Sequence, residues 1–300
     1  MELTTRLIIG LSLMSLSHSI LAQRQIHYPK PVPDSQALKF LPGVVSVEGI
    51  DFNSTFSPDG KSFYFSRSSK GKWEILVSKY ENNQWSEPIR APFSEENYSQ
   101  ADPMFSPDGK LYFISNKPLA NEAVNNNFDI WYVEPSTNDG WSAPINLAEV
   151  NSDSSEYYIS FSANGNLYFG SSRPGGYGGE DIYVSRLVNG KYTAPKNLGP
   201  QINSSQSEHD PAVSPDEHTI IFKSENRADG FGQADLYFST FDSRSGWNRA
   251  HNLGPEINTD SYEYCPYFSP EGKYFFFSSQ HDVMWIDMQV ISKIIGTRGK

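Results

Sequence analysis

Between residues 37 and 287 the apolar positions fall in short runs bounded by turn residues, and the runs recur. Strand-like segments stand at Ser62–Ser66, Leu111–Ser115, Leu167–Ser171, Thr219–Ser224 and Tyr274–Ser278. Each follows one of five related turns: Phe56-Ser57-Pro58-Asp59-Gly60, Phe105-Ser106-Pro107-Asp108-Gly109, Phe161-Ser162-Ala163-Asn164-Gly165, Val213-Ser214-Pro215-Asp216-Glu217 and Phe268-Ser269-Pro270-Glu271-Gly272. Proline presets φ and glycine accepts a positive φ, which suits a tight turn. The serines lie 49, 56, 52 and 55 residues apart, so one unit is repeated five times.

Each unit reads as four strands. Strand a ends just before the serine, and strand b follows the turn. Strand c follows a Gly- or Asn-rich loop, as at Ile130–Val133, Ile182–Val184 and Leu236–Phe238. Strand d begins at an aromatic: Trp85, Trp141, Tyr192 or Trp247. Pro103, Pro211 and Pro266 fall in strand a, Pro88, Pro144 and Pro195 in strand d, and none in b or c. Proline has no N–H to give to a ladder, so a and d are predicted to be sheet edges. The predicted fold is all-β: a five-bladed β-propeller of four-stranded antiparallel blades, with strand a lining the channel.

Only four d strands follow the five a–b–c units, so the fifth must come from the other chain end. Val45 lies six residues before Asp51, as Ile202 does before Glu208 and Ile257 before Glu263. Leu38–Ser46 is therefore predicted to be the outer strand of blade five. The alternative, six blades, would need about 40 further residues. Asp287–Ile295 reads as a helix with Asp287 as cap and Met288, Ile291 and Ile295 on one face. The expected division is a signal peptide over 1–22, an extended leader over 23–36, the propeller over 37–287, and a short C-terminal helix and tail over 288–300.

The Ser-Pro-Asp-Gly turns resemble those of the TolB-like, WD-like-repeat propellers of bacterial envelope proteins. So do Ser172-Arg173-Pro174-Gly175-Gly176-Tyr177-Gly178-Gly179-Glu180-Asp181-Ile182-Tyr183 and Asn197-Leu198-Gly199-Pro200-Gln201-Ile202-Asn203. Similar segments occur in periplasmic propellers joined to OmpA-like domains. The resemblance covers about residues 37–287 and implies a fold rather than an activity.

Composition narrows the function class. A net charge of −11 disfavours nucleic acid, whose phosphates need a basic face. One cysteine excludes an intramolecular disulfide and a zinc cage. Arg6 followed by the apolar run Leu7–Ala22 reads as a secretory signal cleaved before Gln23, and no later stretch is long enough to span a membrane. The expectation is an exported monomer, periplasmic or secreted, with no transmembrane segment in the mature chain.

Six residues before each turn serine stand Asp51, Gln100, Glu156, Glu208 and Glu263. Just after strand b stand Arg67, Lys117, Arg173, Arg227 and His281. Antiparallel pairing of a and b brings Asp51 to Arg67, Glu156 to Arg173 and Glu208 to Arg227, a structural use of the acids. Alternatively the carboxylates form a ring able to hold calcium, the one cofactor suggested. The aspartates before strand c, Asp129, Asp181 and Asp235, are read as acceptors for loop N–H groups.

Features found in every blade are architectural, and departures from the repeat are the better functional candidates. Glu156, Tyr157, Tyr158, Glu208, His209, Asp210, Tyr262, Glu263 and Tyr264 are the candidate ligand-binding residues: aromatics to stack on a sugar or peptide, carboxylates to bond it. The unique loop Asn116–Phe128 is a candidate cover. Gly-x-Ser-x-Gly, His-Glu-x-x-His and phosphate-loop signatures are absent, so no catalytic residue or metal ligand is assigned. The favoured reading is a non-catalytic binding module for a protein, peptide or glycan of the cell envelope. The alternative is a glycan-cleaving enzyme drawing two carboxylates from Asp102, Glu156, Glu208, Asp210 and Glu263. A carboxyl without a basic partner, facing the channel, discriminates in its favour.

Overall fold

The computed structural model describes residues 25–120, 124–137 and 140–299. The expected signal peptide and its cleavage point lie outside the described residues. Five four-stranded antiparallel blades are arranged in a ring. Blade one comprises strands a to d at Ile50–Phe56, Ser62–Ser69, Lys72–Glu81 and Ile89–Arg90. Blade two has Gln100–Phe105, Leu111–Ser115, Asp129–Val133 and Ile145–Asn146. Blade three has Glu156–Phe161, Leu167–Ser171, Asp181–Ser185 and Lys196–Asn197. Blade four has Glu208–Val213, Thr219–Glu225, Ala234–Asp242 and His251–Asn252. Blade five has Tyr264–Phe268, Tyr274–Ser279 and Asp282–Asp287, and its outer strand is Leu38–Lys39 from the N-terminal side. Strands a and d are the edges of every blade, as the prolines predict.

The outer strands differ from expectation. Trp85, Trp141, Tyr192 and Trp247 do not start strand d; each closes a small hairpin, with the end of strand c in blades one and four and just beyond it in blades two and three. The ladder then breaks, and Pro88, Pro144 and Pro195 stand immediately before the two-residue strands that complete the blades. Proline cannot donate within a ladder, so it sits where the edge is interrupted. Likewise the closing strand is two residues long rather than nine, and the chain beyond it turns at Leu41–Ser46.

The a–b turns form as read. In each, the fourth residue after the repeat phenylalanine or valine donates its N–H to the serine carbonyl: Gly60 to Ser57, Gly109 to Ser106, Gly165 to Ser162, Glu217 to Ser214 and Gly272 to Ser269. All five have positive φ, including Glu217 at 58°. The Glu217 carboxylate accepts from Asn166 Nδ2 and Tyr168 Oη of blade three, which holds a non-glycine residue at that position.

Each strand a carries a register shift, and at each shift one residue has a left-handed backbone: Asn53, Asp102, Tyr158, Asp210 and Cys265, with φ of 62°, 56°, 41°, 54° and 51°. Pro103, Pro211 and Pro266 each follow such a residue, where a bulge already frees the N–H position. These bulges aim side chains toward the channel and build the mouth described below.

The ring closes through aromatic packing. Phe40, next to the closing strand, is fully buried against Phe56, Phe63, Phe276 and Trp285. The leader is docked rather than free: Tyr28 packs on Phe56, Tyr274 and Trp285, and His27 stacks on Tyr80. The C-terminal helix, Met288–Arg298, has Asp287 as its cap, accepting from Gln289 N. It runs three residues beyond its expected end. Ile291 and Ile294 are its buried residues, packed on blades four and five, while Met288 and Ile295 are only partly covered. Among the described residues no helix is long and apolar enough to cross a membrane.

The seam makes a direct prediction. Phe40→Ala should cost about 3–5 kcal/mol, the range for truncating a buried phenylalanine. Deleting 38–46 should cost more, because it also bares the edge of strand c in blade five. Denaturant unfolding followed by tryptophan fluorescence checks both. A parent-like midpoint for either variant contradicts closure at this seam.

Candidate functional site

The repeated acids at the start of strand a turn into their own blades. Asp51, Glu156, Glu208 and Glu263 are all fully buried. Asp51 lies 2.6 Å from Arg67 Nε, and Glu156 and Glu208 lie 2.9 Å from the guanidinium groups of Arg173 and Arg227. Glu156 also accepts from Ser152 and Ser171, and Glu208 from Ser204 and Ser224. Glu263 has no arginine partner among the described residues; it accepts from Thr259 and from Ser279 Oγ. In blade two, where the acid is Gln100, Lys117 pairs with Glu95 instead. Burial raises the Asp51 and Glu156 carboxyls, and the arginines and hydroxyls work against that rise. Among the described residues no group of three or more His, Cys, Asp or Glu converges as metal ligands. The loop aspartates bond locally, Asp181 to Tyr177 N and Gly178 N, and Asp235 to Phe231 N.

Of the nine candidate residues, five line a cavity of about 350 Å³ at this mouth: Tyr157, His209, Asp210, Tyr262 and Tyr264. Glu156, Glu208 and Glu263 are held in the blade interiors just described. Tyr158 is fully buried, and its hydroxyl donates across the ring to the Pro266 carbonyl. It thereby lies between this cavity and a larger one, about 550 Å³, at the turn-side mouth. Phe52, Trp73, Asp102, Lys223, Cys265 and His281 also line the mouth cavity. Of the loop Asn116–Phe128, Phe128 reaches the site, stacking on Trp73 with ring centroids 4.9 Å apart.

Side-chain identity at two matched positions explains the acids on the floor. In blades one and five strand b places Ser66 and Ser278 beside the channel, and their hydroxyls accept from the bulge N–H of the following blade, Asp102 N and Asn53 N. Blades two and four have Ile114 and Lys223 at that register, which offer no such acceptor. There the bulge residue itself is aspartate. Asp102 Oδ2 accepts from Tyr158 N at 3.1 Å, and Asp210 Oδ2 accepts from Cys265 N at 3.0 Å. One oxygen of each carboxylate is thus committed to the ring.

Blade four adds a charged network. His209 Nδ1 lies 2.7 Å from Asp210 Oδ1, and Nε2 lies 3.3 Å from Glu180 and 3.7 Å from Glu225. Its Cβ packs on Gly170, where an added Cβ would stand 2.7 Å from it. The Lys223 side chain, 2% exposed, donates to Glu225 Oε1 at 2.7 Å and to the Tyr262 hydroxyl. Tyr262 Oη donates to Glu225 at 2.7 Å. Burial opposes charge on His209, but Asp210 and Glu225 outweigh it and lift the imidazole to about 9. Burial would raise Asp210, yet the His209 and Lys223 charges hold it below the usual range. Among the described residues Asp102 has no cation within ion-pair distance; burial, then the Asp210 charge, push it up to about 7. Burial and these same carboxylates raise the Cys265 thiol, so this buried cysteine is not a thiolate.

Lys223, Trp73 and Phe52 were missed as site residues. Phe52 was legible, because it follows the strand-a acid in the same register as Tyr157, His209 and Tyr264. Lys223 was legible as the one cation inside the apolar run Thr219–Ser224. Trp73 arrives from strand c and no local pattern marks it.

No family model and no curated protein matches this chain. Solved structures with a similar fold include TolB from Acinetobacter baumannii, at 18% identity and a TM-score of 0.50 over 80% of this chain and 54% of that one. A putative TolB from Agrobacterium tumefaciens matches at 19% identity and a TM-score of 0.50, over 78% and 71% of the two chains. An α-L-arabinofuranosidase from Lactobacillus brevis matches at 11% identity and a TM-score of 0.54, over 82% and 92%. This chain spans about half the length of the Acinetobacter TolB. The fold is a TolB-like β-propeller.

Two variants test the division between blade acids and floor acids. Glu208→Gln should destabilise by about 2–4 kcal/mol, because it strips a buried anion from Arg227, itself partly solvated. Asp102→Asn should do the opposite. A carboxyl whose folded pKa lies above its unfolded value contributes stability below the unfolded pKa and loses it as pH rises through the folded one. The variant should therefore match the parent near pH 4 and exceed it, by a few kcal/mol at most, at about pH 8. Calorimetry at both pH values checks the pair; a uniform loss for Asp102→Asn refutes the assignment of its titration.

Proposed function

We propose that the protein is an exported, non-catalytic binding module of the cell envelope, acting as a monomer, which takes part of a peptide, protein or glycan into the mouth cavity. The observation that carries this reading is the composition of that cavity. Its walls are the rings of Phe52, Trp73, Tyr157, Tyr262 and Tyr264, and its floor is a polar cluster whose charges are mostly paired internally. An apolar concavity with a few convergent polar groups is the ordinary form of a ligand site, and about 350 Å³ is at the small end of the range. That volume suits one sugar ring or one side chain rather than an extended polymer. Stacking on aromatic faces is chemistry that both sugars and peptide side chains use.

A second reading, a glycan-cleaving enzyme, is favoured by Asp102. It is buried, lines the cavity and lacks a cationic partner among the described residues, while Asp210 nearby is kept ionised. Two carboxyls pushed apart in pKa are the usual division between proton donor and anion in glycoside hydrolysis. The arabinofuranosidase shows that a similar fold carries such an enzyme, but the likeness is one of fold alone.

Trp73 supplies the assay. Ligand entering the cavity should change its emission, and the change should vanish in Trp73→Phe. Titration with a panel of plant and bacterial oligosaccharides and of short peptides should give a saturable signal without turnover. Tyr264→Ala should weaken that binding about tenfold or more. Time-dependent release of new reducing ends, lost in Asp102→Asn, would establish the second reading instead. Silence of Trp73 across the whole panel would refute both.

A further inference from the structure

The floor of the mouth cavity is unevenly balanced in charge. His209 is engaged by Asp210, Glu180 and Glu225, and Lys223 by Glu225. Two cations are therefore shared among three carboxylates before Asp102 is counted. Asp102 is 6% exposed and makes no ion pair among the described residues, and its described hydrogen bond to Tyr158 N uses Oδ2 alone. The carboxyl nevertheless borders the cavity together with Asp210. Burying an anion without a partner is costly, and the cost is relieved when a cation arrives with good hydrogen-bond geometry.

The walls suit the same cation. Aromatic faces attract an ammonium through the ring quadrupole, tryptophan most strongly. This cavity already does so with its own chain: Lys223 Nζ stands 4.7 Å from the centroid of the Tyr262 ring. Trp73 and Tyr264 line the cavity without such a cation of their own among the described contacts.

We propose that the cavity recognises a primary ammonium group, seated between the Asp102 and Asp210 carboxylates with its organic body against Trp73 and Tyr264. This deepens the binding reading and rests on it. The ammonium supplies the countercharge that Asp102 lacks, and its three donors can reach both carboxylates where a hydroxyl could satisfy only one as donor. An amino sugar and a lysine side chain carry the same group, and matched probes separate them.

The experiment uses two pairs of near-isosteric compounds at about neutral pH, read by Trp73 emission and by calorimetry. One pair is 6-amino-6-deoxyglucose and glucose; the other is Nα-acetyl-lysinamide and Nα-acetylnorleucinamide. The charged member of at least one pair should bind about tenfold or more tightly than its neutral partner. The pair that shows the preference identifies the source. Asp102→Asn should erase the preference within that pair, and Asp210→Asn provides a second variant should the first fail to fold. Equal affinities within both pairs would overturn the inference and leave the binding reading standing. So would silence to all four probes when other sugars or peptides still bind. Silence to every compound would overturn the binding reading itself.

Discussion

The hydrogen bond from the bulge N–H of one inner strand to a side chain of the preceding blade is the contact on which the centre of this ring depends. A strand that lines a narrow channel has one free edge, and its N–H groups there must find partners. Each strand a has a left-handed residue, and in blades one, two, three and five its N–H turns to the neighbouring blade, where a serine hydroxyl or an aspartate carboxylate receives it. Where the serine is replaced by Ile114 or Lys223, aspartate takes over. The requirement of ring architecture thus brings two carboxylates to the axis at one mouth.

That placement links stability to chemistry. The acids repeated in four of the five blades are spent on arginine, serine and threonine within the blade walls, where they are fully buried. Of the acids peculiar to blades two and four, Asp210 is engaged through both oxygens, whereas the described contacts of Asp102 use one. Asp210 gains a histidine that fits because residue 170 is glycine, and Asp102 gains no cation. A buried carboxyl with spare capacity costs stability, and such costs concentrate at sites that bind or react.

Much of the site was visible before the fold was known, although its grouping was not. Tyr157, His209, Asp210, Tyr262 and Tyr264 stand out as departures from the repeat, and they do meet around one cavity. Glu156, Glu208 and Glu263 were grouped with them by adjacency in sequence. Alternation along a strand sends consecutive side chains to opposite faces, so the residue beside a channel residue faces the blade interior. Tyr158 left the group for a different reason, since its side chain is fully buried with its hydroxyl donating across the ring to the Pro266 carbonyl.

The sequence by itself determined the number of blades, the turns between strands a and b, the edge strands and the pairing of chain ends. These depend on short-range signals, Pro-Asp-Gly turns and proline placement, repeated often enough to fix a register. It also determined the blade ion pairs, because antiparallel pairing about a known turn sets which residues lie opposite. Only the tertiary structure decided which side chains share the mouth. Trp73 reaches it from strand c of blade one, and Asp102 and Asp210 face one another's charge from blades two and four. Those approaches depend on the left-handed turn within strand a and on ring closure at the Phe40 seam. Neither is a property of any one stretch of chain: the first is selected by hydrogen-bond demand from the next blade, and the second by packing between residues more than two hundred positions apart.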